Sequence, residues 1–74
     1  MEETYFIYKQ ADYENREIKI MVDKVDNISD FIDNDDILDG ELEGMTQAVK
    51  FGRVFVKAYE TFYPDFDVRL IILN

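Results

Sequence analysis

Histidine and cysteine are both missing from this chain of 74 residues. Without cysteine there can be no disulfide and no thiolate metal site. Without histidine the chain lacks the commonest general base and the commonest metal ligand. Aliphatic hydroxyl groups are few, and no histidine is present to activate them as nucleophiles; they are Thr4, Ser29, Thr46 and Thr61. We therefore expect a protein that is not an enzyme and that carries no metal and no other cofactor.

Glycine is scarce as well, and its three positions fit no phosphate-binding loop. The segment that begins at Asp35 resembles an EF-hand calcium loop, because Asp39 and Gly40 would take its fifth and sixth positions. Ile37 and Thr46 then stand at two positions where such a loop needs carboxylate ligands. The sequence therefore predicts no dedicated calcium site.

Long apolar runs are also missing. The longest stretch, Leu70 to Leu73, is far too short to span a membrane. The chain starts Met1-Glu2-Glu3, which is acidic where a signal peptide is basic. We expect a cytoplasmic protein that does not bind a membrane.

Negative charge is what the chain has in excess. It has 17 acidic side chains against 8 basic ones, and its net charge is −9. This charge opposes direct binding to nucleic acid, whose phosphates repel it, and favours either a basic partner or simple solubility. Hydrophobic residues still make up 47% of the chain, so a folded core is expected, and the length predicts a single domain over residues 1–74.

Three segments read as β-strands, at residues 4–10, 16–22 and 66–73. The first is rich in aromatic and β-branched residues, and the other two alternate with the period of a strand. Residues 11–15 favour a turn, and Asn15 in particular tolerates a left-handed conformation, so the first two strands should form a hairpin. The apolar face of the third strand carries Phe66, Val68, Leu70 and Ile72.

Two segments show helical spacing. Ile28, Phe31 and Ile32 predict a short helix within residues 27–39. An acidic loop at residues 33–44 would follow, and the sequence leaves open whether this loop is ordered without a partner. The clearest pattern predicts a long helix at residues 45–63, which Pro64 ends because proline cannot continue a helix.

The predicted order is β-β-α-α-β, an α+β domain in which the long helix covers one face of a three-stranded, mostly antiparallel sheet. The helix joins the second strand to the third. The third strand can pair with the first strand, antiparallel, or with the second strand, parallel, through a right-handed crossover. We favour the arrangement with the first strand in the middle.

The charge is concentrated in residues 23–43, where nine acidic side chains face one basic side chain, Lys24. We predict a partner-binding face here. If the segment is helical, Asp26, Asp30 and Asp33 share one stripe at steps of roughly 5–6 Å, comparable in scale to DNA phosphates. The alternative is an ordinary solvated face. The nine residues are Asp23, Asp26, Asp30, Asp33, Asp35, Asp36, Asp39, Glu41 and Glu43.

The long helix carries a second apolar stripe beside its core stripe. Phe51, Val54 and Ala58 lie there, about 100° per residue around the axis. Either the rest of the chain covers them, or they form a surface for self-association. Basic side chains occupy the opposite side of the helix, at Lys50, Arg53 and Lys57.

The acidic stretch from Asp23 to Glu43 and the helix-on-sheet plan together resemble the small acidic inhibitors encoded by bacteriophages, including anti-CRISPR proteins and other DNA mimics. The resemblance lies in size, charge and plan, without a signature motif. It implies a protein that blocks a host nucleic-acid enzyme, for example a CRISPR effector nuclease, by covering its nucleic-acid site. The partner would be a basic nucleic-acid-binding protein. The alternatives are a self-associating assembly module, a homodimer through the long helix, and a subunit that docks through a strand edge.

Overall fold

The computed structural model of the protein describes residues 3–28 and 32–73. Four strands and one α-helix follow each other along the chain. They are β1 (Thr4–Asp12), β2 (Glu17–Lys24), β3 (Ile37–Glu43), α1 (Met45–Phe62) and β4 (Asp67–Ile72). Two short 3-10 turns, Val25–Asn27 and Asn34–Asp36, lie between β2 and β3. The predicted α+β class is confirmed, and so are the hairpin and the long helix that ends before Pro64.

The sheet has four strands in the order β3-β1-β2-β4. Strand β1 pairs antiparallel with both β2 and β3, and β4 pairs parallel with β2, from Glu17↔Asp67 to Val22↔Ile72. The predicted three-stranded sheet with the first strand in its middle is therefore wrong. Because β3 occupies the other edge of β1, the last strand pairs with β2 instead.

The predicted helix at residues 27–39 is also wrong, and so is the loop through Glu43. Ile28 is exposed, Phe31 lies outside the described residues, and Ile32 packs beneath the sheet. Further along, Ile37 and Leu38 pack against opposite faces of the sheet, as neighbours on a strand do. Pairing with β1 thus outweighs the local helical spacing, and residues 37–43 form an edge strand with register shifts opposite Tyr5, Ile7 and Tyr8.

Helix α1 covers one face of the sheet. Its small residues Ala48 and Gly52 are buried, which lets the helix approach the strands closely. A Cβ added at Gly52 would lie 2.8 Å from Leu70 Cδ1 and 3.3 Å from Val22 Cγ2. The helix therefore lies above β2 and β4. The buried residues of this layer are Tyr5, Ile7, Ile18, Ile20, Val22, Leu42 and Ala48.

The opposite face of the sheet holds a smaller apolar cluster, over which the described residues place no α-helix. Phe6, Tyr8 and Met21 are buried there, and the rings of Phe6 and Tyr8 stack with their centroids 5.2 Å apart. Residues of the segment between β2 and β3, Val25 and Ile32, pack against them. Burial, and then the charge of Asp23, raises the pKa of Tyr8.

Two tight backbone positions shape the connections. Gly44, just before α1, has φ 84° and ψ 155°, a conformation that is essentially restricted to glycine. In the hairpin the left-handed residue is Arg16, with φ 55°, where the sequence favoured Asn15. Asn15 instead donates through its side-chain amide to the Asp12 carboxylate at 2.8 Å.

Candidate partner-binding surface

Acidic side chains line the outer strand β3 and the turn that leads into it. We call them the acidic edge: Asp33, Asp35, Asp36, Asp39, Glu41 and Glu43. Asp36 and Asp39 are half-buried and the other four are exposed. None of the six forms a salt bridge within residues 3–28 and 32–73. Because β3 is at the edge of the sheet, these charges face solvent or a partner.

Local hydrogen bonds fix the backbone that carries the acidic edge. The Asp35 N–H donates to the Asp33 carboxylate at 3.1 Å and so caps the turn Asn34–Asp36. At the other end, the Glu43 N–H donates to Gln47 Oε1 at 3.1 Å, which ties β3 to the first turn of α1. The side chains of Glu41 and Glu43 remain exposed, two residues apart on one strand, which spaces them by about 6.6 Å.

Three of the nine predicted acidic residues do not belong to this edge. Asp23 is only 8% exposed, and its carboxylate accepts from the Lys24 N–H and from the Asn27 amide, each at 2.8 Å. It therefore holds the chain where β2 ends. Asp26 is exposed in a separate 3-10 turn, and Asp30 lies outside the described residues.

The predicted stripe of Asp26, Asp30 and Asp33 depends on a helix, so this arrangement is wrong. Asp26 and Asp33 belong to two different turns. What the structure brings together is a later group of acids, ordered by pairing of β3 with β1. The alternation of acidic side chains at positions 39, 41 and 43 was the sequence signal that could have predicted a strand over residues 37–43 and this group of acids.

The lone basic residue of the acidic stretch is already paired. Lys24 Nζ lies 3.0 Å from Glu3 Oε2, and this hydrogen bond and the charge of Glu3 raise the pKa of Lys24. The acidic edge therefore gains no compensating charge from it. Beside the edge runs a shallow groove lined by Thr4, Val25, Gly40, Glu41, Glu43 and Gln47.

The second predicted surface, on α1, is largely open. Val54 is 57% exposed and Phe51 is 36% exposed, while Ala58 is half-buried. Phe62 is exposed as well, at 78%. At about 100° per residue Phe62 falls on the same side of the helix as Phe51, a signal that the sequence did contain.

Neither a metal-binding cluster nor a membrane-spanning helix is found among the described residues. In the described part of the chain, no three acidic side chains are grouped so as to hold a metal ion. The one helix found there is not long and apolar enough to cross a membrane. Comparisons with protein-family models, with curated proteins and with solved structures gave no match.

Proposed function

We propose that this protein is a binding inhibitor that places its acidic edge in the basic groove of a nucleic-acid-binding protein, for example a CRISPR effector nuclease. The observation that carries the proposal is the row of carboxylates on the exposed edge strand β3, which form no salt bridges with the described residues. A partner with a groove built for phosphates would supply the missing positive charge.

The spacing of the edge supports a phosphate-like role. Alternate residues on a strand are about 6.6 Å apart. Phosphates on one DNA strand advance by about 3.4 Å along the helix axis and lie farther apart along the curving backbone. The strand therefore presents the carboxylates of Glu41 and Glu43 at a separation similar in scale to that of neighbouring phosphates in a nucleic-acid backbone.

A second candidate function is self-assembly through α1. The exposure of Phe51 and Val54, which lie one turn apart on α1, favours it, because a small domain seldom leaves neighbouring apolar side chains open. This function predicts a homodimer that resists salt. Val54→Asp would then dissociate the homodimer while leaving the acidic edge intact.

The test of the inhibitor proposal uses two variants that change the net charge equally. Glu41→Lys with Glu43→Lys reverses charges on the acidic edge, and Glu14→Lys with Glu17→Lys reverses two exposed charges in and beside the hairpin loop. Each protein is immobilised and exposed to a bacterial lysate at low and moderate salt. Bound proteins are then displaced with duplex DNA and identified by mass spectrometry.

The proposal predicts that the wild type and the hairpin variant retain a nucleic-acid-binding protein that DNA displaces, while the edge variant does not. The purified partner should also lose its nucleic-acid binding when wild-type protein is added, in a mobility-shift assay. If both variants behave like the wild type, or if the retained protein still binds nucleic acid, the acidic edge is a solvated face and the proposal is wrong.

A further inference from the structure

The two outer strands of the sheet differ sharply in charge. Strand β3 carries the acidic edge, whereas on β4 the charges are balanced, because Arg69 lies 2.8 Å from Asp67 within the same strand. A second copy of this acidic chain would be repelled at β3, a common way to protect an edge strand from pairing. At β4 that repulsion is absent.

Among the described residues, only one side of the β4 backbone is paired with another strand. The Asp67 N–H donates to the Arg16 carbonyl at 2.8 Å, and the Leu73 N–H donates to the Val22 carbonyl at 2.7 Å. Because backbone groups alternate along a strand, those of Val68 and Leu70 point away from β2. On that outer side the described residues place no further strand.

The side chains around Val68 would match those of an identical strand that runs in the opposite direction. Leu70 follows Val68 on the helix-covered face, and Phe66, which directly precedes β4 and donates its N–H to the Tyr63 carbonyl, packs against the same layer. Asp67 and Arg69 flank Val68 on the other face. An antiparallel copy centred on Val68 would set Phe66 opposite Leu70, and Asp67 opposite Arg69, twice each. Opposite charges and apolar residues that face each other across strands stabilise their pairing.

We propose that β4 pairs with β4 of a second copy, antiparallel and about a two-fold axis at Val68, to form a continuous eight-stranded sheet. The occupant of this edge is thus another molecule of the same chain. The pairing supplies partners for the outward N–H and C=O groups of Val68, and the interface is isologous, as in most homodimers.

Helix α1 is positioned to join the same interface. It lies above β2 and β4, so the two helices would be separated by about two strand spacings, roughly 10 Å, which is a normal distance between packed helices. The contact of Gln47 with Glu43 turns one side of α1 toward β3. At about 100° per residue the opposite side, which faces β4, carries Val49, Arg53, Val56 and Glu60.

The registers of helix and strand agree. Gly52 lies over Leu70, and Val68 is about 6.6 Å further along, which equals about four residues of a helix running the other way. The axis through Val68 therefore passes near Val56. Two antiparallel helices centred there bring Arg53 of one copy opposite Glu60 of the other. Neither side chain has a salt-bridge partner in the described part of the chain.

The dimer also keeps the acidic edges apart. They occupy the two ends of the eight-stranded sheet, about seven strand spacings or roughly 34 Å from each other. This is far beyond the screening length of about 8 Å at physiological salt. Each dimer would present two acidic edges that point in opposite directions.

Charge exchange on β4 tests the proposal by sedimentation equilibrium. The wild type should be a dimer at high micromolar concentration. Arg69→Glu or Asp67→Lys alone places like charges opposite each other and should weaken the dimer at least roughly tenfold, as loss of a close charge pair does. The double variant, Asp67→Lys with Arg69→Glu, restores opposite charges and should restore the dimer. Lys50→Glu, on the side of α1 that points away from the sheet, changes the charge as much as Arg69→Glu and should weaken the dimer far less.

Val68→Pro tests the backbone pairing separately, because it removes an N–H that points away from β2. It should give a monomer whose circular dichroism matches that of the wild type. The proposal fails if the wild type is a monomer, if the exchanged pair does not recover the dimer lost in the single variants, or if Val54→Asp dissociates a dimer that these β4 variants leave intact.

Discussion

The side chain of Asp12 closes the hairpin loop between β1 and β2. Asp12 accepts hydrogen bonds from both the side chain and the backbone N–H of Asn15, at 2.8 and 3.2 Å. These bonds hold the loop in which Arg16 adopts a left-handed conformation, and they also stabilise the ionised form of the carboxyl group.

The hydrogen bonds from Asn15 lower the pKa of Asp12 in the folded protein, the side-chain bond contributing most. A lowered folded pKa means that this group stabilises the fold above the ordinary aspartate pKa of about 3.9 and ceases to do so as the pH falls through the lower folded value. We expect Asn15→Ala to raise the pKa of Asp12 toward its ordinary value, measured by NMR titration of the side-chain carboxyl. An unchanged midpoint would contradict this role for Asn15.

At the scale of elements, the contact between α1 and the sheet depends on the absence of a side chain at Gly52. The helix packs against Leu70 and Val22 at a distance that leaves no room for branched carbon atoms. At Gly40, on the edge strand β3, no atom of residues 3–28 and 32–73 outside its chain neighbours lies within 4 Å of the position that a Cβ would take. Gly40 is therefore a control position for substitutions at Gly52.

We expect Gly52→Val to lower the free energy of unfolding by about 1–3 kcal/mol, because overpacking pushes the helix away from the sheet. Gly40→Val should leave it unchanged or raise it slightly, since valine favours a strand and the site is open. Urea denaturation of both variants measures the difference. Equal effects at the two positions would show that the close approach at Gly52 does not limit packing.

At the scale of the whole molecule, charge is segregated and not spread over the surface. The acidic edge lies along one outer strand, while basic side chains such as Lys50 and Lys57 lie on the exposed side of α1. Like charges held close together destabilise the compact state, and dissolved salt screens them. Stability should therefore depend on ionic strength through the acidic edge in particular.

We expect the melting temperature to rise by a few degrees between about 0.01 and 0.15 M salt, over which the screening length falls from about 30 to about 8 Å. For a domain of this size about 4–8 °C corresponds to 1 kcal/mol. Glu41→Gln with Glu43→Gln should reduce this rise in melting temperature. Glu14→Gln with Glu17→Gln removes the same number of charges away from the acidic edge and should reduce the rise less. Identical responses of the two variants to salt would show that repulsion within the acidic edge does not lower the stability of the fold.

Much of the fold could be predicted from local patterns. The alternation within residues 16–22 identified the second strand, and the helical spacing that ends at Pro64 identified the long helix. These predictions succeeded because a strand or helix that buries one face repeats that face in its sequence. The hairpin succeeded for a related reason, since the turn and both strands are contiguous in the chain.

Residues 27–43 could not be predicted in this way. The helical spacing of Ile28, Phe31 and Ile32 is a local signal. The structure of this part of the chain depends instead on a distant strand, because residues 37–43 pair with the edge of β1. The candidate site changed accordingly: the acidic character of the stretch was visible in the sequence, while the choice of Glu41 and Glu43 as exposed edge residues and of Asp23 as a buried one was not.

Local patterns along the chain were enough to predict the class of the fold, the position of the long helix and the concentration of negative charge in residues 23–43. Long-range pairing was needed to show that the sheet of the described residues has four strands, that β4 pairs parallel with β2, and that the acids lie along an outer edge opposite a neutral one. Strand pairing joins backbones that are far apart in the chain, and backbone hydrogen bonds depend little on which side chains the paired residues carry. Charge and hydrophobic periodicity can be seen in the sequence, but the pairing of the strands determines on which edge of the sheet a charged residue lies.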